Sequence, residues 1–140
     1  MAALTSDLGL EVAGEIEVTD SYPVQTNVVI YQGATICVDT AGYAVPAANT
    51  LNFRVIGVAL HGVNTTGIAA GVKSVQVGEG RVVRAHVGVT QAMAGKKVYV
   101  ADDQTVTNVA GNNVFAGIFR RFEPSGKALV EMGSYITTVA

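Results

Sequence analysis

The stretch Gly33-Ala34-Thr35-Ile36-Cys37-Val38-Asp39-Thr40-Ala41-Gly42-Tyr43-Ala44-Val45 decides the fold, because the chain repeats its pattern once. The second copy is Gly95-Lys96-Lys97-Val98-Tyr99-Val100, a turn with Asp102 and Asp103, and then Thr105-Val106-Thr107. In each copy the pattern predicts a strand, an aspartate-containing turn and a second short strand.

The residues that follow each copy also repeat. An apolar strand with an internal glycine comes next, at 55–59 and at 115–119, and then an alternating strand opened by lysine, at 73–78 and at 127–133. The spacings between the copies are about 62, 60 and 55 residues. This repetition predicts two similar β-units that close one barrel or sandwich. Chance similarity among strands rich in valine and glycine is the alternative.

The composition supports an all-β domain. The 140 residues are 49% hydrophobic and only 14% charged, with 24 valines, 16 glycines and 3 prolines, which is typical of short strands joined by tight turns. Two uncharged stretches, 21–38 and 55–72, contain glycines and amides, and the first also contains Pro23, so we interpret them as strand and turn, not as membrane spans. No signal peptide is visible, and the single Cys37 excludes an internal disulfide framework.

Local signals predict four further features. The segment 72–77 alternates like a strand, and 81–87 is expected to be its return strand after a tight connection at Gly78-Glu79-Gly80. One short helix is expected at 90–94, capped by Thr90 and ended by Gly95 in the left-handed conformation. Gly57, inside a strand, indicates a close approach of another backbone. Asp39 is expected to head a tight turn that ends at Gly42.

The first 26 residues differ from the rest, so we predict an extended N-terminal arm at 1–26 and a β-barrel domain at 27–140. Residues 1–53 carry six acidic side chains and no lysine or arginine, whereas residues 54–140 carry all nine basic side chains and five acids. The net charges are therefore −6 and +4, which suggests that the arm meets a basic surface on a partner or a sister subunit. A solvated acidic tail is the alternative. Within the arm, 14–19 alternates like an edge strand or a strand lent to a neighbour.

No residue pattern predicts catalysis, so we expect that the chain is not an enzyme. His61, His86 and Cys37 lack the spacing of a metal site, and we expect no metal and no cofactor. Asp102 and Asp103 are adjacent and lie in a turn, where they do not predict a catalytic pair. The basic residues are scattered and tryptophan is absent, so nucleic-acid binding is not expected.

The segments 33–47, 55–59, 94–106 and 116–118 resemble small capsid-associated proteins of tailed phages and prophages, which include head decoration or cement proteins. The resemblance covers roughly residues 27–132 and consists of strand-and-turn patterns. It implies a compact β-barrel or β-tulip-like domain, oligomers that are often trimers, and an N-terminal arm that reaches onto capsid subunits.

We therefore expect a decoration protein that binds the outer surface of the major capsid protein shell and stabilises the head. The expected location is the capsid exterior of a virion, after synthesis in the host cytoplasm, with no membrane partner. A homotrimer is favoured and a dimer is the alternative. The predicted contacts to the partner are the following arm residues: Asp7, Glu11, Glu15, Ile16, Glu17, Val18 and Asp20. The alternative functions are a tail or head-fibre subunit and a small-ligand-binding barrel.

Overall fold

The structure is a computed structural model that describes residues 3–7 and 17–132. It is nearly all β, with 47% of residues in strands, as the sequence predicts. The strands are β1 (Glu17–Pro23), β2 (Val29–Ile30), β3 (Thr35–Val38), β4 (Ala44–Pro46), β5 (Arg54–Ala59), β6 (Val63–Asn64), β7 (Ser74–Val87), β8 (Lys97–Val100), β9 (Thr105–Thr107), β10 (Phe115–Phe122) and β11 (Ala128–Met132). No helix among the described residues is long and apolar enough to cross a membrane.

The C-terminal half forms a closed five-stranded barrel, which we call the second ring. The C-terminal part of β7 pairs with β11, β11 with β10, β10 with β8, and β8 with β9. The parallel pairing of β9 with β7 then closes the circle. Closure leaves this unit without an unpaired sheet edge around its circumference.

The N-terminal half has the same strand order, and we call it the first ring. β1 pairs with the N-terminal part of β7, which pairs with β5, then β3 and then β4. A single parallel bridge from Ala44 to Val24, just after β1, completes the circle. The first ring is therefore the more weakly closed of the two.

The repeat predicted from the sequence is confirmed residue by residue in the strand pairing. Cys37 pairs with Val55 in the first ring, and Tyr99 pairs with Phe115 in the second. A bulge follows at the same place in both, so that Ile36 pairs with Gly57 and Val98 with Gly117. The expectation that the two units close one barrel between them is wrong, because each unit closes on itself.

The hairpin predicted at 78–80 is also wrong, since β7 is one continuous strand of 14 residues. Gly78 and Gly80 do not turn the chain. Gly57 takes φ +143°, and a Cβ at that position would collide with the carbonyl oxygen of Gly78. The predicted close approach at Gly57 is therefore confirmed, and it takes place on β7.

Each ring has its own hydrophobic core. Val75 and Val77 of β7 enter the first core, and Val82 of the same strand enters the second. The first core also contains Val24, Ile30, Ala34, Ile36, Val38, Ala44, Ile56 and Ala59. Because β7 supplies side chains to both cores, the rings form one packed body over the described residues.

The connections differ between the rings. In the first ring, the long segment between β5 and β7 supplies β6, which pairs with β2. In the second ring, the residues that correspond to β2 form a three-residue 3₁₀ turn, Gln91–Met93. The expected short helix is therefore only this turn, and Thr90 makes no side-chain cap, although Gly95 takes the predicted left-handed φ of +85°.

Candidate docking surface

The predicted arm contacts are divided by the structure. Glu11, Glu15 and Ile16 lie outside the described residues. Glu17 and Val18 belong to β1, which continues past the end of the predicted strand 14–19 to Pro23 and pairs with β7 of the same chain. Asp20 is exposed, and its Oδ1 accepts a hydrogen bond from the N–H of Ser21 at 2.8 Å.

Residues 3–7 lie against the body of the protein. The N–H of Leu4 donates to Oδ1 of Asp103 at 2.8 Å, and the Leu4 side chain packs against the first core. Oδ1 of Asp7 accepts a hydrogen bond from the N–H of Gln32 at 2.8 Å. Asp7 was predicted to contact another protein, and its carboxylate is hydrogen-bonded within its own chain.

Asp103 lies buried where the rings meet. Its carbonyl oxygen accepts the N–H of Thr35 at 2.8 Å, and the nearby buried Arg84 donates to the carbonyl oxygen of Gly33. Burial raises the pKa of the Asp103 carboxyl, although the hydrogen bond from Leu4 and the charge of Arg84 act to lower it. The neighbouring Asp102 accepts the N–H of Gln104 at 2.9 Å, so both carboxylates hold backbone in place.

The described residues contain no group of three or more histidine, cysteine, aspartate or glutamate side chains that could hold a metal ion. Cys37 is fully buried, and burial raises its pKa to about 12, which keeps it as the unreactive thiol. His61 accepts a hydrogen bond from the N–H of Gln76, and His86 packs against the Phe122 ring, so each has a structural contact.

The interior of the second ring is filled. Val98, Val100 and Val106 point into it and are at most 2% exposed, and Phe119 is fully buried beside them. Since even an eight-stranded barrel has only enough room for side chains or one small ligand, a five-stranded one leaves no ligand cavity. This packing argues against the small-ligand-binding barrel.

The outer surface of the second ring carries aromatic and basic side chains together. Tyr99 and Phe115 are cross-strand partners, as are Lys97 and Ile118 one step along the same two strands. The Nζ of Lys97 lies 5.8 Å from the centroid of the Phe115 ring. Arg54, the first residue of β5, and Phe53 before it complete this surface. We call it the basic–aromatic face, and it consists of Phe53, Arg54, Lys97, Tyr99, Phe115 and Ile118.

Two joined depressions mark this face. One has a volume of about 250 Å³ and is lined by Tyr99, Phe115 and Lys97, among others. The second, of about 530 Å³, extends toward Leu51, which is 65% exposed. Phe53 and Arg54 line both depressions. Aromatic residues and arginine around a shallow depression are typical of protein–protein contacts.

This face was not among the features predicted from the sequence. Tyr99 and Phe115 occupy the positions that Cys37 and Val55 occupy in the first ring, where both side chains are buried. The replacement of small core residues by aromatic ones at repeat-related positions was the available signal.

The chain matches no protein-family model, no curated protein and no solved structure.

Proposed function

We propose that this chain is a capsid decoration protein, which binds the outside of a phage head and stabilises the shell. The observation that carries the proposal is the combination of a rigid all-β body with two protein-binding features on one chain. One feature is the basic–aromatic face, and the other is the acidic N-terminal arm, whose residues 3–7 are held on the body through Leu4 and Asp7.

A structural role agrees with how the polar groups are used. Asp103, Asp102 and Asp39 hold backbone amides, and Cys37 is buried as a thiol. A decoration protein acts by adding many modest contacts over a large area, and linked copies multiply the strength of each contact through effective concentration. The assignment to a phage rests on the sequence resemblance alone. A tail or head-fibre subunit is the alternative with the same physical requirements.

The test is co-sedimentation of the purified chain with undecorated expanded heads assembled from the major capsid protein of the same phage. We expect saturable binding and a higher melting temperature of the heads. Absence of binding to these heads would contradict the proposal, and labelling of tails or fibres in electron micrographs would favour the alternative.

The contribution of the arm is measured in the same assay with residues 8–16 replaced by nine glycine and serine residues. This replacement spares β1 and the contacts of Leu4 and Asp7, whereas deletion of residues 1–20 would remove half of β1. We expect roughly tenfold weaker binding, because a multivalent complex loses one of its contacts. A glycine–serine replacement of the six residues 67–72, a largely exposed loop, is the control and should bind like the wild type.

A further inference from the structure

We propose that the basic–aromatic face is the docking site for the acidic N-terminal stretch, residues 8–16, of a second copy of this chain. The inference concerns the association of copies and does not require the capsid.

The first argument comes from the repeat. The positions in the first ring that correspond to Lys97, Tyr99, Phe115 and Ile118 are filled by Thr35, Cys37, Val55 and Val58. These four side chains are at most 3% exposed, and three of them belong to the core of the second ring. The outer surface of the first ring is thus covered by the second ring. On the second ring, by contrast, Tyr99, Phe115 and Ile118 remain partly exposed and Lys97 is exposed.

The second argument comes from the side chains on the open copy of this surface. Where the covered copy has Cys37 and Val55, the open copy has Tyr99 and Phe115, which remain half-buried and present large rings to the surface. Tyrosine and phenylalanine contribute much contact area at a low cost in side-chain entropy, and they are enriched at the centres of interfaces. The open surface therefore has the composition of an interface.

The third argument is charge. Arg54 and Lys97 are both exposed at the rim of the depressions, and no described carboxylate forms a salt bridge with Arg54. Farther along the outer surface, Glu131 is shared by Arg81 and Arg120, at 3.5 and 2.9 Å, so basic charge exceeds acidic charge there too. Such a surface favours an acidic occupant.

The chain itself contains a matching occupant. Residues 8–16 carry Glu11 and Glu15 without any basic side chain, and leucine, valine and isoleucine lie next to these acids in the sequence. Both ends of this stretch are held on the first ring, by Asp7 at Gln32 and by Glu17 opposite Glu79. Four of the six residues of the face lie on the second ring, which favours a neighbouring copy over the same chain as the source of the stretch.

A contact between the second ring of one copy and the N-terminal stretch of the next is heterologous. Contacts of this type close into a ring of copies when the rotation between neighbours permits it. The trimer expected from the sequence resemblance is one such closed ring.

The experiment is size-exclusion chromatography with light scattering on the full chain over a range of concentrations, at low and at high salt. We expect the wild type to associate, and to associate less at high salt because the contact is partly ionic. The face variant R54E/K97E and the stretch variant E11K/E15K should each associate roughly tenfold more weakly or worse.

The matched control is K73E/R121E, which changes the net charge by the same amount as R54E/K97E at exposed sites outside the face. We expect it to associate like the wild type. The decisive measurement is a mixture of the face variant with the stretch variant. The acidic face of the first can then bind the basic stretch of the second, so association between unlike variants should return. Circular dichroism confirms that each variant is folded.

A monomeric wild type, a face variant that associates like the control, or a mixture that fails to associate would each overturn the proposal. If the chain associates in this way but does not bind heads, the inference stands and the proposed function fails. If it binds heads but remains a monomer, the reverse is true. If both proposals hold, residues 8–16 bind a neighbouring copy, and their replacement weakens head binding because copies that are no longer linked lose multivalency.

Discussion

The two rings repeat one strand order but differ in what surrounds it. The first ring is closed by one bridge at Val24, supported by the β2–β6 pair, and covered on its outer surface by its neighbour. The second ring is fully closed and leaves the equivalent surface open, with aromatic and basic side chains on it. The comparison teaches that the repeated strands provide the scaffold, whereas the candidate binding features lie where the copies diverge.

The largest expected effect tests how the two cores differ. Phe119 is fully buried in the second core, and Ala59 holds the corresponding position in the first core. The N–H of Phe119 donates to the carbonyl oxygen of Lys96, just before β8, and the N–H of Ala59 donates to that of Ala34, just before β3. Phe119→Ala should lower the free energy of unfolding by about 4 kcal/mol, because it leaves a cavity in a packed interior. Urea denaturation measures it.

The matched control is Phe115→Ala, which truncates a half-buried ring on the same strand and should cost about 1 kcal/mol. Equal losses for the two variants would show that the second core tolerates an alanine at 119 as the first core does at 59.

An intermediate effect tests the shared bulge. A Cβ at Gly57 would collide with the carbonyl oxygen of Gly78, and one at Gly117 would collide with that of Glu131. Gly57 also has a φ of +143°, so Gly57→Ala should cost about 3 kcal/mol and Gly117→Ala about 2 kcal/mol.

Gly126→Ala provides the comparison for conformation alone, since Gly126 has φ +88° with open space around it and should cost about 1 kcal/mol. Thermal or urea unfolding ranks the three variants. A cost at Gly57 no greater than at Gly126 would mean that β5 does not approach β7 closely.

The smallest expected effect is a pH dependence of stability that has opposite signs for Asp39 and Asp103. Burial acts to raise the pKa of Asp39, but hydrogen bonds from Gln25, Tyr43, Ala41 and Gly42 lower it overall. Its contribution to stability is therefore present above the unfolded-state pKa of about 3.9 and is lost as the pH falls through the folded-state pKa. The pKa of Asp103 is raised by burial, so its contribution has the opposite sign and is lost as the pH rises through the raised pKa.

Melting temperatures between about pH 3 and about pH 8 should therefore show two opposite trends. Asp39→Asn should be destabilised most at neutral pH and should approach the wild type in acid. Asp103→Asn keeps an acceptor for Leu4, and it should gain on the wild type as the pH rises. Parallel curves for the two variants would contradict the assignment.

Much of the scaffold could be predicted from the sequence. The Asp39 turn is confirmed, since its Oδ1 accepts the N–H groups of Ala41 and Tyr43, both at 3.0 Å. The repeat was visible because equivalent strands keep the same alternation and glycine positions. The third spacing was predicted as about 55 residues and is 53, because Val58 pairs with Gly78 and Ile118 with Glu131. The two lysines that guided the prediction are exposed or only partly buried, so they do not fix the register.

The docking surface could not be predicted in this way. Alternation shows which side chains of a strand share a face, but not whether a neighbouring ring covers the outer face. Cys37 and Val55 were identified as apolar strand residues, and only the packing of one ring against the other distinguishes their surroundings from those of Tyr99 and Phe115. The misreading of Gly78 and Gly80 has the same origin, because their role depends on the backbone of β5.

The continuity of β7 has a consequence for folding. β7 is one of the five strands of each ring, so neither ring can separate from the other without losing a strand. The hinge that normally lies between tandem repeats is replaced here by extended, hydrogen-bonded backbone. Force applied at one end of the molecule is thus transmitted along a single covalent strand to the other, which suits a protein that has to hold two points of a large assembly at a constant separation.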